Sequence, residues 1–439
     1  VRHLIAEPGP GTDPASACAA ALAGLDGGAP VGVAVSGGGD SVALLLTAID
    51  TAGGRPVRAV TVDHGLRPES AAEAEGVSRL CAGHGVPHEV LRWEGWDGRG
   101  NLQAAAREAR FALIGDWARR EGLAAVLLGH TLDDQAETVL MRLARGSGID
   151  GLAGMAPAIR RGGVLWLRPL LGVRRAALRA VLRDRGVGWV EDPTNDDPAY
   201  DRVKARQALE VLAPLGITAE GLAGTATRLA PQRAVIERAM AALAREARVA
   251  DRFGCIRLLA APLGRDRELG MRLLADSLCR VSGRVYRPRS APLARLWEGV
   301  RDGAGDAALH GCLVRREGSG VLIAREPAAV AGEVTYDPAG TVWDGRFLVT
   351  GGLADLPPET TLGALGEAGL AALGDHEGPA DWQAAPRLVR LTLPALRNGV
   401  EIVCVPHADF GEGASVTVPH AVSVTALAGQ ELPETAPEA

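Results

Sequence analysis

From Val31 to about Leu209, short valine-rich apolar runs alternate with segments whose apolar residues recur every three or four positions. The first pattern is that of strands buried on both faces, the second that of amphipathic helices. Strands are predicted at Val31–Val35, Arg58–Val62, His88–Leu91, Ala124–Leu128 and Val164–Leu167, with helices beginning near Ser41, Glu69, Leu102, Asp133 and Val173. Strictly alternating strands and helices build a doubly wound α/β domain on a parallel sheet, with its ligand beyond the carboxyl ends of the strands. After Pro214 the period changes to helical segments, Thr218–Arg248 and Arg265–Val281, followed by β structure around Cys312–Ala324. The remainder is punctuated by Gly and Pro, with strand-like runs at Thr341–Thr350, Val389–Leu393 and Glu401–Val405 and a frayed end from Glu431. Three domains are therefore expected: the α/β domain over 28–212, a helical middle domain over 213–330 and a small β-rich C-terminal domain over 331–439.

Length agrees with that division, because 439 residues exceed the roughly 250 to 300 at which single cores stop growing. A hydrophobic fraction of 47% with 23% charged residues is that of a folded globular chain, while aromatics at 3% leave few rings for stacking on bases. The net charge of −6 provides no global attraction for polyanions, so any nucleic-acid surface must be a local basic patch. Arg160, Arg161, Arg174, Arg175, Arg179, Arg183 and Arg185 form such a stretch late in the first domain. Cys18, Cys81, Cys255, Cys279, Cys312 and Cys404 never form a C-x-x-C pair, which removes the usual support for zinc-ribbon and iron–sulfur readings and fits a reducing cytoplasm. Ala15–Leu25 reads as an amphipathic helix rather than a leader, and no run approaches the roughly 18 apolar residues of a membrane span.

The strongest local chemistry is Ser36-Gly37-Gly38-Gly39-Asp40-Ser41, directly after an apolar strand and before the helical Val42–Ile49. Glycines let the backbone approach an anion, and a helix start aims free N–H groups and a positive dipole end at it. A Walker loop would require Gly-Lys-Ser/Thr, and no lysine is present. An aspartate beside phosphates implies an intervening cation, so Asp40, read as lying on an exposed loop, points to Mg²⁺. In Gly129-His130-Thr131-Leu132-Asp133-Asp134-Gln135-Ala136-Glu137-Thr138, helical spacing puts Asp133, Asp134 and Glu137 on one face near a helix start. Such a cluster suits Mg²⁺ or a cationic substrate, although a solvated acidic first turn has the same composition.

The hexapeptide resembles the S-G-G-x-D-S loop of the PP-loop ATP pyrophosphatases, which holds the β- and γ-phosphates of ATP. The second stretch, continuing through Arg145-Gly146-Ser147-Gly148 to Gly151-Leu152, resembles the G-H-H-x-D-D-Q-x-E-T and R-G-S-G-x-x-G-L signature of the tRNA(Ile)-lysidine synthetases, with Thr131 in place of the second histidine. Three further pieces keep the family's order: Val62-Asp63-His64-Gly65-Leu66-Arg67; Asn101-Leu102-Gln103 with Ala106-Arg107 and Arg110-Phe111; and Arg168-Pro169-Leu170-Leu171 with Trp189–Asn195, Tyr200 and Arg202-Val203-Lys204-Ala205-Arg206. The last departs from the family's R-N-x-I-R at Val203 and Ala205. The resemblance is strong from Val31 to about Arg206 and weak beyond.

What the resemblance implies is an ATP-dependent ligase that joins free L-lysine to the wobble cytidine of tRNA(Ile) bearing a CAU anticodon, through an adenylated cytidine, releasing AMP and pyrophosphate. Ser36, Gly37, Gly38, Gly39, Asp40 and Ser41 would then bind ATP together with His64, Gly129 and Arg107. Asp40, Arg107, Asp134 and Arg202 would be catalytic, Asp40 and Asp134 would hold Mg²⁺, and Asp134 and Glu137 would hold lysine. The two later domains would help to grip tRNA, and a homodimer is left open. The nearest rival enzyme is a tRNA thiolase of the same adenylating group. Its iron–sulfur form lacks its cysteine pairs here, and its persulfide form lacks the D-D-Q-x-E-T to R-G-S-G stretch. A non-catalytic nucleotide- or tRNA-binding module is the rival of another class, and the intact Asp40 and acidic cluster argue against it.

Overall fold

The computed structural model describes residues 9, 11–65, 69–93, 102–191, 201–250, 253–284, 286–338, 340–351, 359–374, 378–408 and 415–417. The chain divides into two compact units, Val1–Val235 and Ile236–Ala428.

In the first unit the elements run α1 (Pro14–Ala23), β1 (Val31–Ala34), α2 (Gly39–Thr51), β2 (Val57–Asp63), α3 (Ser70–Gly83), β3 (His88–Arg92), α4 (Leu102–Arg120), β4 (Ala125–Leu127), α5 (Leu132–Ala144), α6 (Ile149–Leu152), β5 (Ala158–Arg161), β6 (Val164–Leu167), α7 (Arg175–Asp184), α8 (Asp201–Leu212) and α9 (Ala219–Ala247), the last crossing the boundary between the units. The strands form one sheet in the order β3-β2-β1-β4-β6-β5. The pairs β3–β2, β2–β1, β1–β4 and β4–β6 are parallel, as the alternation predicts. Val31 and Val33 of β1 are wholly buried. Side chains from α1, α2, α3 and α7 make the core with one side of the sheet, and Phe111, Ile114 and Trp117 of α4 pack with Val60, Val126 and Trp166 in a second cluster.

Sequence reading missed the edge strand β5, which pairs antiparallel with β6. The turn between them is Gly162-Gly163, with φ of 57° and 79°, the pair of positive values that a tight two-residue hairpin demands. The polar Arg160-Arg161 had disguised a strand of only four residues.

The topology also locates the site. From β1 the chain builds outward through β2 and β3, then crosses back to place β4 on the other side of β1. The connections leaving β1 and β4 thus diverge and open a crevice at their carboxyl ends, the usual ligand position in such sheets.

The second unit contains a five-stranded sheet of Arg248–Ala250, Ile256–Leu259, Gly320–Arg325, Cys312–Glu317 and Ala307–Leu309, packed by helices Arg267–Ser282 and Ser290–Asp302. A second core, including Trp343, Phe347, Trp382 and Leu396, joins a four-stranded and a three-stranded sheet. Two of the strand-like runs resolve differently from their prediction. Thr341–Thr350 is a hairpin of Thr341–Trp343 and Phe347–Thr350, turning near Asp344 and Gly345 at φ of 53° and 64°. Val389–Leu393 is not a strand: Arg387–Arg390 is a short helix after Pro386, and the strand begins at Pro394, where the missing N–H is tolerated at a strand start.

Candidate active site

The turn from β1 into α2 is built by its own hydroxyls. The Ser36 N–H donates to Ser41 Oγ at 3.0 Å, and Ser41 Oγ donates to the Gly38 carbonyl at 2.9 Å. Val190 N–H donates to the Gly37 carbonyl at 3.0 Å, so the chain after α7 straps the loop from outside. The residue before α2 is Gly38, which offers no side-chain cap, leaving the first N–H groups of a thirteen-residue helix open to an anion. Gly129, at the end of β4, abuts this turn. A Cβ there would lie 3.1 Å from Ser41 Cα and 3.3 Å from the Asp40 carbonyl carbon. A side chain at Gly129 would crowd the close approach of the two connections flanking the crevice.

Asp40 does not lie on an exposed loop. It occupies the first turn of α2, with only 23% of its side chain exposed, and Oδ2 accepts from Arg175 Nε at 2.9 Å. Asp134 meets the same guanidinium from α5, where Oδ1 accepts from Arg175 Nη2 at 3.0 Å. Its other oxygen accepts from both the N–H and the hydroxyl of Thr131, each at 2.7 Å. Thr131 is the N-cap of α5 and completes a capping box, so the family's second histidine is replaced by a residue suited to this position. One turn on, Glu137 is 1% exposed. Its Oε1 accepts from Arg206 Nε at 3.1 Å and lies 3.8 Å from Arg175 Nη1, while Oε2 is buried with no hydrogen-bond partner among the described residues. Asp133 turns outward from this group: Oδ2 accepts from the Arg175 backbone N–H at 2.7 Å and Oδ1 pairs with Arg174 at 3.2 Å.

Electrostatics follow from the crowding. Burial pushes the carboxyls of Asp40 and Glu137 above their ordinary range, and the arginines offset this only in part. Burial acts the same way on Asp134, but Arg175, Arg202 and His130 outweigh it and hold that carboxyl below its ordinary range. Arg175 loses water too, yet Asp134 and Asp40 hold its pKa well above the usual guanidinium value. Among the described residues no group of three or more His, Cys, Asp or Glu is arranged as a metal cage. Asp40 and Asp134 nonetheless converge on one cation, and Mg²⁺ needs only one or two carboxylates when phosphates and water supply the rest. These residues fit the ion.

A second charged group is positive. Arg107 lies over the Phe111 ring at 5.4 Å. Loss of water, then the like charges of Arg107 and Arg202, lower the Arg110 pKa to about 10. Clustered guanidinium groups that repel one another are suited to a polyanion. Sequence reasoning assigns Arg110 no role, and its spacing of three from Arg107 on α4 is the signal that brings it to this group. His64 stands near this group, its pKa lowered by burial and then by Arg110, with its ring edge-on to Trp93 at 6.0 Å. Leu66, Arg67, Asn101 and Asp192–Tyr200 lie outside the described residues.

A PP-loop domain family model matches residues 16–212. A tRNA(Ile)-lysidine synthase of Ruegeria pomeroyi is 42% identical over 87% of this chain and 90% of its own length, and one of Mesorhizobium japonicum is 39% identical over 86% and 84%. The chain belongs to the tRNA(Ile)-lysidine synthase family. The name of a Methylobacterium nodulans relative is the same, at 42% identity over 70% of this chain and 94% of that protein.

Within that family this chain departs from the usual motif at Val203 and Ala205. Both side chains are buried, at 5% and 6% exposure, whereas Arg202 is exposed and Arg206 reaches Glu137. The arginine stretch, by contrast, is less available than its sequence implied. Arg161 pairs with Glu108, Arg174 with Asp133 and Glu220, Arg179 with Glu191 and Arg185 with Asp50, while Arg175 is turned into the acidic cluster. Among the described residues no helix is long and apolar enough to cross a membrane.

Proposed function

We propose that the chain ligates L-lysine to the wobble cytidine of tRNA(Ile) bearing the CAU anticodon, in two steps at one crevice. The observation that carries this reading is the convergence of Asp40, from the phosphate-binding turn, with Asp134 and Glu137, from the acidic helix, around a single cation. Adenylation requires the turn and a charge to meet the phosphates; ligation requires a carboxylate pocket for an amine. Both are supported by the same few ångströms of structure.

In the first step the N–H groups at the start of α2 receive the β- and γ-phosphates, and Arg107, Arg110 and Arg202 balance the charge that grows as pyrophosphate leaves. Asp40 and Asp134 would hold Mg²⁺, which would supply further charge neutralisation at the phosphates. The cytosine 2-keto oxygen bonds to the α-phosphorus while the bond to pyrophosphate breaks. In the second step Glu137, with Asp134, holds lysine; its ε-ammonium gives one proton to solvent, the resulting amine bonds to C2 of the adenylated base, the C2–O bond breaks as AMP leaves, and the new C–N nitrogen loses a second proton to solvent. Segments 213–330 and 331–439 are proposed to grip the tRNA.

The test is direct. Incubation with ATP, Mg²⁺, lysine and tRNA(Ile) carrying CAU, followed by nucleoside digestion and mass analysis, should yield lysidine, and its absence with folded protein would refute the reading.

A further inference from the structure

We propose that Arg175 is a placeholder cation, which holds Asp40, Asp134 and Glu137 in convergence while the site is empty and is displaced by the cation of the reaction, an ammonium or a divalent metal. The inference rests on the functional reading only in requiring that these carboxylates meet such a cation.

Three carboxylates from two helices cannot be drawn together in a half-buried crevice without positive charge between them. Arg206 pairs with Glu137, and among the described residues Arg175 is the group seen to reach all three carboxylates. Its planar fork spends one donor on each of two carboxylates, Nε on Asp40 at 2.9 Å and Nη2 on Asp134 at 3.0 Å. The fit fails at the third. Nη1 stops 3.8 Å from Glu137 Oε1, beyond hydrogen-bond range, and Glu137 Oε2 is buried with no partner among the described residues. A buried carboxylate oxygen without a donor is costly, so the pocket is incompletely served by its own arginine.

Position makes the arrangement releasable. Arg175 is the first residue of α7, where a cation opposes the helix dipole and is retained only by the facing carboxylates. Its backbone is pinned separately, through its N–H to Asp133 at 2.7 Å, so the side chain can leave without unseating the helix. With 20% of the side chain exposed beside an Asp40 that is 23% exposed, the outward path is on the open side of the crevice. An incoming cation thus exchanges one partner for another, and the carboxylates are never left unpaired. Arg175 acts here as a positioning residue.

The experiment is a thermal-shift titration of the full chain with L-lysine and, separately, with Mg²⁺, comparing wild type, R175K and R175Q. If the guanidinium occupies the cluster about nine-tenths of the time, R175Q should reach its half-maximal shift at about tenfold lower concentration of at least one cation. R175K, a point charge that cannot bridge three carboxylates, should fall between. Norleucine, lysine without its ε-ammonium, should not reproduce the gain. A variant that responds no better than wild type to either cation, or that gains as much on norleucine as on lysine, overturns the proposal. Should R175Q not fold, R175K against wild type decides on the same criterion. Lysidine formation by wild type is measured independently by nucleoside mass, so a failure of the enzymatic reading with a gain in R175Q would leave the placeholder standing, and the reverse pattern would remove it alone.

Discussion

The two oxygens of Glu137 live in different circumstances: Oε1 meets Arg206 at 3.1 Å, whereas Oε2 is buried without a donor among the described residues. An unmet acceptor of this kind is a place for a ligand's N–H. Glu137→Gln keeps the shape and removes the charge, so lysine capture should weaken by about 1.5 to 3 kcal/mol, the range for hydrogen bonds to charged groups. Adenylation uses the turn and the arginines, so α-labelled ATP should leave label accumulating on tRNA, with product partly restored by high lysine. Loss of labelling at every lysine concentration would instead assign Glu137 to the metal. Gly129 offers a test of the other half. A Cβ there would press on Ser41 Cα at 3.1 Å, and Gly129→Ala should cut pyrophosphate release strongly while costing about 1 to 3 kcal/mol in stability, as overpacking does. Pyrophosphate release at the wild-type rate would show that the turn does not need this close approach.

At the scale of elements, α5 is set by one residue. Thr131 both caps the helix and donates to Asp134, and it is wholly buried. Thr131→Val should destabilise the folded chain by about 1 to 2 kcal/mol in denaturant unfolding, as lost caps do, and Thr131→Ser should restore most of it. In the second unit the Asp344 turn is held more tightly. Its carboxylate, 2% exposed, accepts from Arg325 at 2.9 and 3.0 Å and from Arg346 at 2.6 Å. Burial pushes that carboxyl upward, but Arg325 and Arg346 outweigh it and hold its pKa below the ordinary aspartate value. The stability it contributes is therefore present above that ordinary value and lost as pH falls through the lowered one. Asp344→Asn should cost about 3 to 5 kcal/mol at neutral pH by leaving buried arginines uncompensated. Thermal melts down the pH scale should show the deficit shrinking in acid, and a constant deficit would contradict the charge argument.

For the whole molecule, the decisive quantity is how much positive charge remains free under a net charge of −6. Arg161, Arg174, Arg175, Arg179 and Arg185 are already engaged by carboxylates, so the stretch cannot release counterions in proportion to its length. Affinity for tRNA, followed by fluorescence anisotropy, should still fall as salt rises. Its log–log slope should be shallower than the roughly −6 expected if all seven arginines of the stretch neutralised phosphates at about −0.9 each. A flat response would dismiss the surface, and the full slope would mean that binding breaks the ion pairs.

Apart from the edge strand β5, the order of parallel strands and the helices between them in the first unit, the phosphate-binding turn and the acidic helix are legible in the sequence because each depends on local rules: apolar period, glycine before a helix start, and a cap with carboxylates three and four apart. The Thr341–Thr350 run carries an Asp344-Gly345 pair, the local signal of the turn that divides it into a hairpin. The false strand at Val389–Leu393 arose because alternation of apolar and polar residues outlasted the proline that starts a helix there. No local rule could have turned Arg175 inward. It lies 135 residues from Asp40 and 41 from Asp134, and within a run of arginines it reads as surface charge. Only the crossing of the chain from β3 back to β4, beside β1, sets those carboxylates against the start of α7. Which arginine stays at the surface and which turns into the acidic cluster is therefore decided by the sheet, since charge pairing depends on distance in space and periodicity reports only distance along the chain.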